Sequence, residues 1–169
     1  MKDRDRYSYD KIDEADLLRL LAIARQDRED FFRAHSDWAA LYADRLIATA
    51  LCQGAAMHYV NGKAGINDFD VYSFYASHPQ RAWYAKRLKN ADFGDPKFGV
   101  SELTKPGYIG RRVDLMGRGI SVKLGTDPVF AIRHFLRTDR GVTARELAKK
   151  AVVILEPEHL LGVIAWPEV

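Results

Sequence analysis

The chain has 169 residues, 47% of them apolar and 29% charged, with a formal net charge of +3 and a pI near 9.0. That suits one globular domain with a real core and is too short for two of ordinary size. The lone cysteine, Cys52, excludes an internal disulfide and reads as a core thiol; the five histidines show no metal-ligand spacing, which excludes a zinc site. The mild basicity fits a phosphate-bearing ligand and a merely solvated basic surface equally. The N-terminal "MKDRDRYSYDKIDEAD" lacks the apolar segment of a secretory signal, and no apolar run approaches the roughly 20 residues of a spanning helix. A cytoplasmic protein with no membrane contact is expected.

Residues 1–10 read as a frayed tail. From Ile12 to about Ala43 apolar residues recur at helical spacing (Leu17, Leu20, Leu21, Ala24, then Phe31, Phe32, Trp38), which predicts two helices with a break near "RQDRED" or at Ser36 as N-cap. "RLIATALCQ" suits a continuing helix or a buried strand; its length and β-branched content favour a strand over Leu46 to Cys52. "AAMHYV" is a short helix, Asn61-Gly62 a turn, and "DFDVYSFY" the clearest strand in the sequence. Pro79 then opens an amphipathic helix over "PQRAWYAKRLKN", followed by a loop with a short extended piece near Phe98 to Val100. Tyr108 to Leu124 gives one or two strands. Asp127-Pro128 caps the next helix, and Thr143 with Glu146 forms a capping-box pattern opening a helix over "ELAKKAVVIL". Glu156-Pro157 starts a last short helix through "EHLLGVI". The expected fold is α+β in a single domain over 1–169: a helical N-terminal extension (1–45), a small mixed sheet flanked by helices (46–124), and C-terminal helices (125–169).

Chemistry concentrates in "CQGAAMHYVNGKAGINDFDVYSFY". Alternate side chains of a strand share a face, so Asp68 and Asp70 project together while Phe69 and Val71 turn away. Two like charges in an apolar strand are costly unless a cation sits between them. Asp114, inside "RRVDLMG", is a third carboxylate in an apolar alternation. Paired beside the first strand, it would complete a cluster able to hold two metal ions for in-line phosphoryl chemistry. The spacing alone is weak: Asp3 and Asp5 in the tail are also D-x-D. Solvated strand-end aspartates fit the spacing equally well.

The segment Leu46 to Leu115 resembles the DNA polymerase β-like nucleotidyltransferase superfamily, closest in style to small prokaryotic members of abortive-infection and toxin–antitoxin systems. Their pattern is an apolar strand, a Gly-Ser or Gly-Gly pair opening a helix, a strand with D-x-D or D-x-E, and a third acidic residue on a later strand. Here Gly54-Ala55 stands at the Gly-Ser position, Asp68 and Asp70 at the paired carboxylates and Asp114 at the third. The resemblance implies transfer of a nucleoside monophosphate from an NTP to an acceptor. Asp68, Asp70 and Asp114 would hold two Mg²⁺ (Mn²⁺ as a substitute), Asp114 helping to activate the acceptor hydroxyl. The backbone N–H groups around Gly54 and Ala55 would take the triphosphate. The acceptor (protein, RNA or small molecule) is not specified. Ala55 departs from the pattern by lacking a hydroxyl.

Arg112 shares the Asp114 face and can reach a triphosphate; Arg111 points the other way. Arg118 and Lys123 are further cations of this stretch, each explained as well by a surface ion pair. The basic and aromatic residues of "QRAWYAKRLKN" suit nucleic acid less well than an amphipathic helix that buries Trp83, and His58 suits packing or capping better than phosphate contact. Three functions follow: an active transferase; a catalytically inactive binding or regulatory module, motivated by Ala55; and, ranked below for want of a general base, a phosphodiesterase or nuclease. The N-terminal helices and the segment after Asp127 are open to an acceptor pocket, a homodimer contact or a partner protein.

Overall fold

The structure, a computed structural model, describes residues 6–83, 88–101 and 104–168. Helix α1 (Glu14–Ala34) starts at a capping box in which Asp13 accepts from the Asp16 N–H and Asp16 accepts from the Asp13 N–H, both at 2.9 Å. Its Leu17, Leu20, Leu21 and Ala24, spaced for one helix face, are all buried. Helix α2 (Ser36–Tyr42) follows, with His35 rather than Ser36 at the cap. Strand β1 (Leu46–Cys52), helix α3 (Gln53–Asn61) and strand β2 (Phe69–Ala76) come next. Then follow β3 (Leu88–Asp92), β4 (Arg112–Ile120), α4 (Pro128–Thr138), α5 (Val142–Ala148), β5 (Ala151–Glu156) and β6 (Ile164–Trp166).

The strands form one mixed sheet in the order β3-β4-β2-β1-β5-β6, in which β2 and β4 are parallel and every other pair is antiparallel. Helices cover both faces. On one, α1 and α3 close over Leu51, Phe69, Val71, Val113 and Leu115. On the other, α4 and α5 bring Ile132, Phe135 and Leu147 against Ala48, Ala50 and Phe74. The α+β layering with helices before and after the central strands is thus as the sequence implies. Among the described residues no helix is long and apolar enough to cross a membrane.

Three expectations are corrected. The helix read over "ELAKKAVVIL" stops at Ala148, its cap is Gly141 without a side-chain bond, and Ala151–Glu156 is strand β5. Ala151 to Leu155 are all fully buried because helices lie on both faces, so the strand is continuously apolar and has no alternation to reveal it. "EHLLGVI" gives one 3₁₀ turn (Glu158–Leu160) and the edge strand β6 in place of a helix. In "PQRAWYAKRLKN" residues 88–90 begin β3, which covers the outer edge of β4; residues 84–87 lie outside the described part. Trp83 is buried, as expected, stacking on Tyr75 at a centroid distance of 4.4 Å with its indole over Gly117, where a Cβ would stand 2.5 Å from Nε1. Among the described residues of this stretch, Arg81 pairs with Asp37 at 2.9 Å and lies over Trp38, and Lys89 is 3.9 Å from Asp27.

The described part of the N-terminal tail is also tied down. Ser8 and Ile66 exchange backbone hydrogen bonds of 2.8 and 2.7 Å. His58 is buried with its ring nitrogens 2.6 Å from the Ala64 carbonyl and 3.0 Å from the Asp10 carbonyl. It staples the turn after α3 to the tail and makes no approach to a phosphate site.

Candidate metal centre

The parallel register of β2 and β4 sets Asp70 directly beside Asp114, and the antiparallel β1 sets Cys52 on the other side of Asp70. Burial of the flanking residues aims the carboxylates. Phe69 and Val71 on β2, and Val113 and Leu115 on β4, are locked into the α1 side of the sheet, Phe69 stacking on Phe93 at 4.9 Å. Asp70 and Asp114 must therefore point to the opposite face. Asp68, one residue before β2, joins them, and one oxygen from each of the three carboxylates lies within 4.8 Å of the others. Helices α4 and α5 cover only the far half of this face, around Phe74 and Ile120. The near half is left as an open pocket of about 550 Å³.

Electrostatics make the cluster tense. Burial pushes the Asp70 carboxyl up to about 7, the charges of Asp68 and Asp114 add to the rise, and Arg112 and Lys150 only partly offset it. Asp114, also buried, is raised by burial first, with Arg112 opposing and Asp68 adding. The single guanidinium of Arg112 lies against all this negative charge: its Nη2 donates to Asp68 Oδ2 at 2.9 Å and to Asp114 Oδ2 at 3.3 Å. Its Nε is 2.9 Å from Asp114 Oδ1, close enough for an ion pair but without the alignment of a hydrogen bond, so both atoms are buried and unbonded. An orphaned carboxylate oxygen beside two others is a donor set for a hard cation. The three aspartates can hold a metal ion.

The remaining wall of the pocket is the strand-to-helix turn Gln53, Gly54 and Ala55. Gln53 is the one described non-glycine residue with a left-handed backbone (φ 61°). The turn thus falls one residue earlier than the Gly54-Ala55 pair, whose Gly54 is in an ordinary conformation and would accept a Cβ, the nearest atom being Lys150 Nζ at 3.9 Å. Ala55 borders the pocket but is 2% exposed and packs into the α1-side core. Replacing Gln53 by Gly is expected to stabilise the chain by about 1 kcal/mol, since a side chain costs roughly that in this region. A denaturant midpoint at or below the wild-type value would show that the Gln53 side chain itself holds the turn.

Of the residues singled out in the sequence, the structure therefore brings together Asp68, Asp70, Asp114, Arg112, Gly54 and Ala55. Arg111 does point away: it is buried, donating from Nε to the Phe98 carbonyl and from Nη1 to the Arg6 carbonyl, both at 2.8 Å. Arg118 lies two positions past Met116 on the Asp114 face, beyond the pocket, and Lys123 belongs to the turn before α4. Cys52 is a buried thiol, its pKa driven up by burial and by the charge of Asp70. Lys150 and Tyr7 are among the pocket residues that the sequence did not single out. Lys150 arrives because β5 pairs with β1 and Ala151 bridges Gln53; the signal was a Lys pair just before an apolar run, hidden once that run was read as helix. Tyr7 arrives with the tail and lies on Gly65, where a Cβ would stand 2.6 Å from the Tyr7 Cβ, so only glycine admits it.

Compared with known proteins, the chain matches no family model, no curated protein and no solved structure.

Proposed function

We propose that the chain is a metal-dependent nucleotidyltransferase, moving a nucleoside monophosphate from an NTP to an acceptor hydroxyl. The observation that carries the reading is the convergence of Asp68, Asp70 and Asp114 at a pocket whose opposite wall is a helix start with a lysine beside it. Asp68, Asp70 and Asp114 would hold Mg²⁺, with Mn²⁺ as an alternative, and the bound ions would neutralise charge on the transferring phosphoryl group. The chain's own groups divide the remaining tasks. Backbone N–H groups at the start of α3 and the ammonium of Lys150 draw the triphosphate to that wall. Arg112, already shared between Asp68 and Asp114, can turn one N–H toward a phosphate oxygen once a cation relieves it. Asp114 would take the proton from the acceptor hydroxyl as its oxygen bonds to the α-phosphorus and pyrophosphate leaves.

One observation favours a second reading. Arg112 occupies the space among the carboxylates where a cation would bind, as it would in a metal-free module that binds nucleotide without catalysis. Titration calorimetry with NTP and Mg²⁺, together with transfer of an α-labelled phosphoryl group, separates the two. The transferase reading expects Mg²⁺-dependent NTP binding that falls at least about tenfold in Asp114→Asn, with label on an acceptor. Equal, Mg²⁺-independent NTP binding by wild type and variant with no label transferred sinks the first reading and leaves the second, whereas no NTP binding by either protein sinks both.

A further inference from the structure

The positive charge of the chain is concentrated. Residues 128–150, spanning α4 and α5, hold six Lys and Arg against two Asp and Glu, a balance of +4 in a chain of net charge +3. Everything outside this hairpin therefore sums to −1. Four of the six, Arg137, Arg140, Arg145 and Lys149, rim a groove of about 590 Å³ at the α4–α5 elbow, whose apolar floor is Leu136 and Ala148. The carboxylate of the groove is already used, Asp139 Oδ1 accepting from the Gly141 N–H at 2.7 Å. Arg137 pairs with Glu168, and Lys149 with Glu146 at 2.8 Å. Among the described residues Arg140 and Arg145 make no ion pair.

Two features relate this groove to the acidic pocket, the chain at Lys149–Lys150 and the face of β4 that carries Asp114. Lys149 is followed by Lys150, which lines that pocket. Along β4, Asp114, Met116 and Arg118 share one face over about 13 Å. Arg118 Nη2 ends 3.7 Å from where a Cβ on Gly141 would stand, and its Nε is buried without a hydrogen-bond partner. In the other direction the outer face of α4 carries rings: Phe130 is 59% exposed and stacks on His134 at 5.8 Å with an interplanar angle of 12°. Positions 130, 134 and 137 lie one above the other on the helix, about 10 Å apart end to end. The order along the surface is thus exposed rings, a row of cations, then three carboxylates. The pairing of cations with aromatics considered for "QRAWYAKRLKN" is present here, on residues that solvent can reach.

We propose that the α4–α5 face binds single-stranded nucleic acid and leads its end into the Asp68–Asp70–Asp114 pocket. Phosphates suit the arginine row, and unstacked bases suit Phe130 and His134; an acidic protein or an anionic membrane would use the cations and leave the rings idle. Delivery into the pocket rests on the nucleotidyltransferase reading, while strand binding does not.

Fluorescence anisotropy of the full chain with labelled single-stranded RNA and DNA of about 20 nucleotides should show affinity that falls with salt, with a log–log slope of about −2 to −3 for three or four neutralised phosphates. The Arg140→Gln/Arg145→Gln/Lys149→Gln variant should bind at least about tenfold more weakly with a shallower slope, and Phe130→Ala should lose about tenfold. Asp70→Asn should still bind the strand. The proposal is overturned if wild type binds neither oligonucleotide, if the triple variant binds as tightly as wild type, or if phosphatidylserine vesicles or polyglutamate displace the strand at equal charge. Strand binding with no transfer of label would leave the nucleic-acid face standing and remove the transferase reading together with delivery into the pocket.

Discussion

Asp70→Asn is expected to raise the stability of the metal-free chain at about pH 8 and, in the same variant, to abolish its response to Mg²⁺. The two effects have one cause. Burial between Asp68 and Asp114 holds the Asp70 carboxyl at about 7, above the ordinary value near 3.9 for an unfolded chain. A raised carboxyl favours the folded state most when protonated. Its contribution is therefore undiminished below about pH 4, is lost as pH climbs toward 7, and stays lost above. A shift of about 3 units corresponds to roughly 4 kcal/mol, so the neutral amide should recover about 2–4 kcal/mol at pH 8 and almost nothing at pH 4. In a chain of this size that is a rise in Tm of roughly 5–10 °C. Mg²⁺ should stabilise wild type in proportion to its occupancy, by about 2.7 kcal/mol at a hundredfold excess over Kd, and leave the variant unmoved. Differential scanning at the two pH values, with and without Mg²⁺, checks all four numbers. A variant less stable than wild type at pH 8 would mean that Asp70 is a structural hydrogen-bonding group and the crowding is not real.

What the sequence reveals of this site depends on alternation. Phe69 and Val71 around Asp70, and Val113 and Leu115 around Asp114, mark half-polar strands, and each of these carboxylates was placed on its correct face from that pattern alone. Strand β1 was legible by length and β-branched content. The pairing of β2 with β4 was not, because a parallel neighbour across some 40 residues leaves no local signature. It had to be assumed for Asp114 to count. Strand β5 was misread for the opposite reason: with helices on both of its faces, Ala151 to Leu155 carry no period, and the helix-forming "ELAKK" ahead of them supplied the wrong one. That single error hid Lys150, since a lysine at the end of a helix has no fixed place whereas one at the head of a strand paired with β1 must lie beside Gln53. The described part of the tail, residues 6–10, is ordered where fraying was expected because two backbone hydrogen bonds between Ser8 and Ile66 and a glycine under Tyr7 anchor it, and neither shows as composition. Arg112 could be assigned a face but not a partner; only the closing of β2 on β4 turns it from a surface cation into a bridge between Asp68 and Asp114.

That bridge carries the second large effect. Arg112→Met keeps much of the side-chain volume and removes the guanidinium that donates to Asp68 and Asp114. Breaking a buried pair costs about 3–5 kcal/mol because the partner is left charged and unmatched; with Arg112 about one-third exposed, a loss of about 2–3 kcal/mol near pH 8 is expected. The deficit should shrink with acid. Asp70 and Asp114 already have raised carboxyls and losing the guanidinium lifts them further, so as these two take up protons the cluster needs less counter-charge, and variant and wild type should draw together as pH falls through about 7 toward 5. Divalent metal should do what acid does: Mg²⁺ or Mn²⁺ at near-neutral pH should restore the variant and raise its Tm by more than it raises that of wild type, because no side chain competes for the carboxylates. Thermal melts across pH and metal concentration read both effects. A deficit of equal size at pH 5 and pH 8 that no cation repairs would reduce Arg112 to a packing residue, and the three carboxylates would then lose the one internal sign that a cation belongs among them.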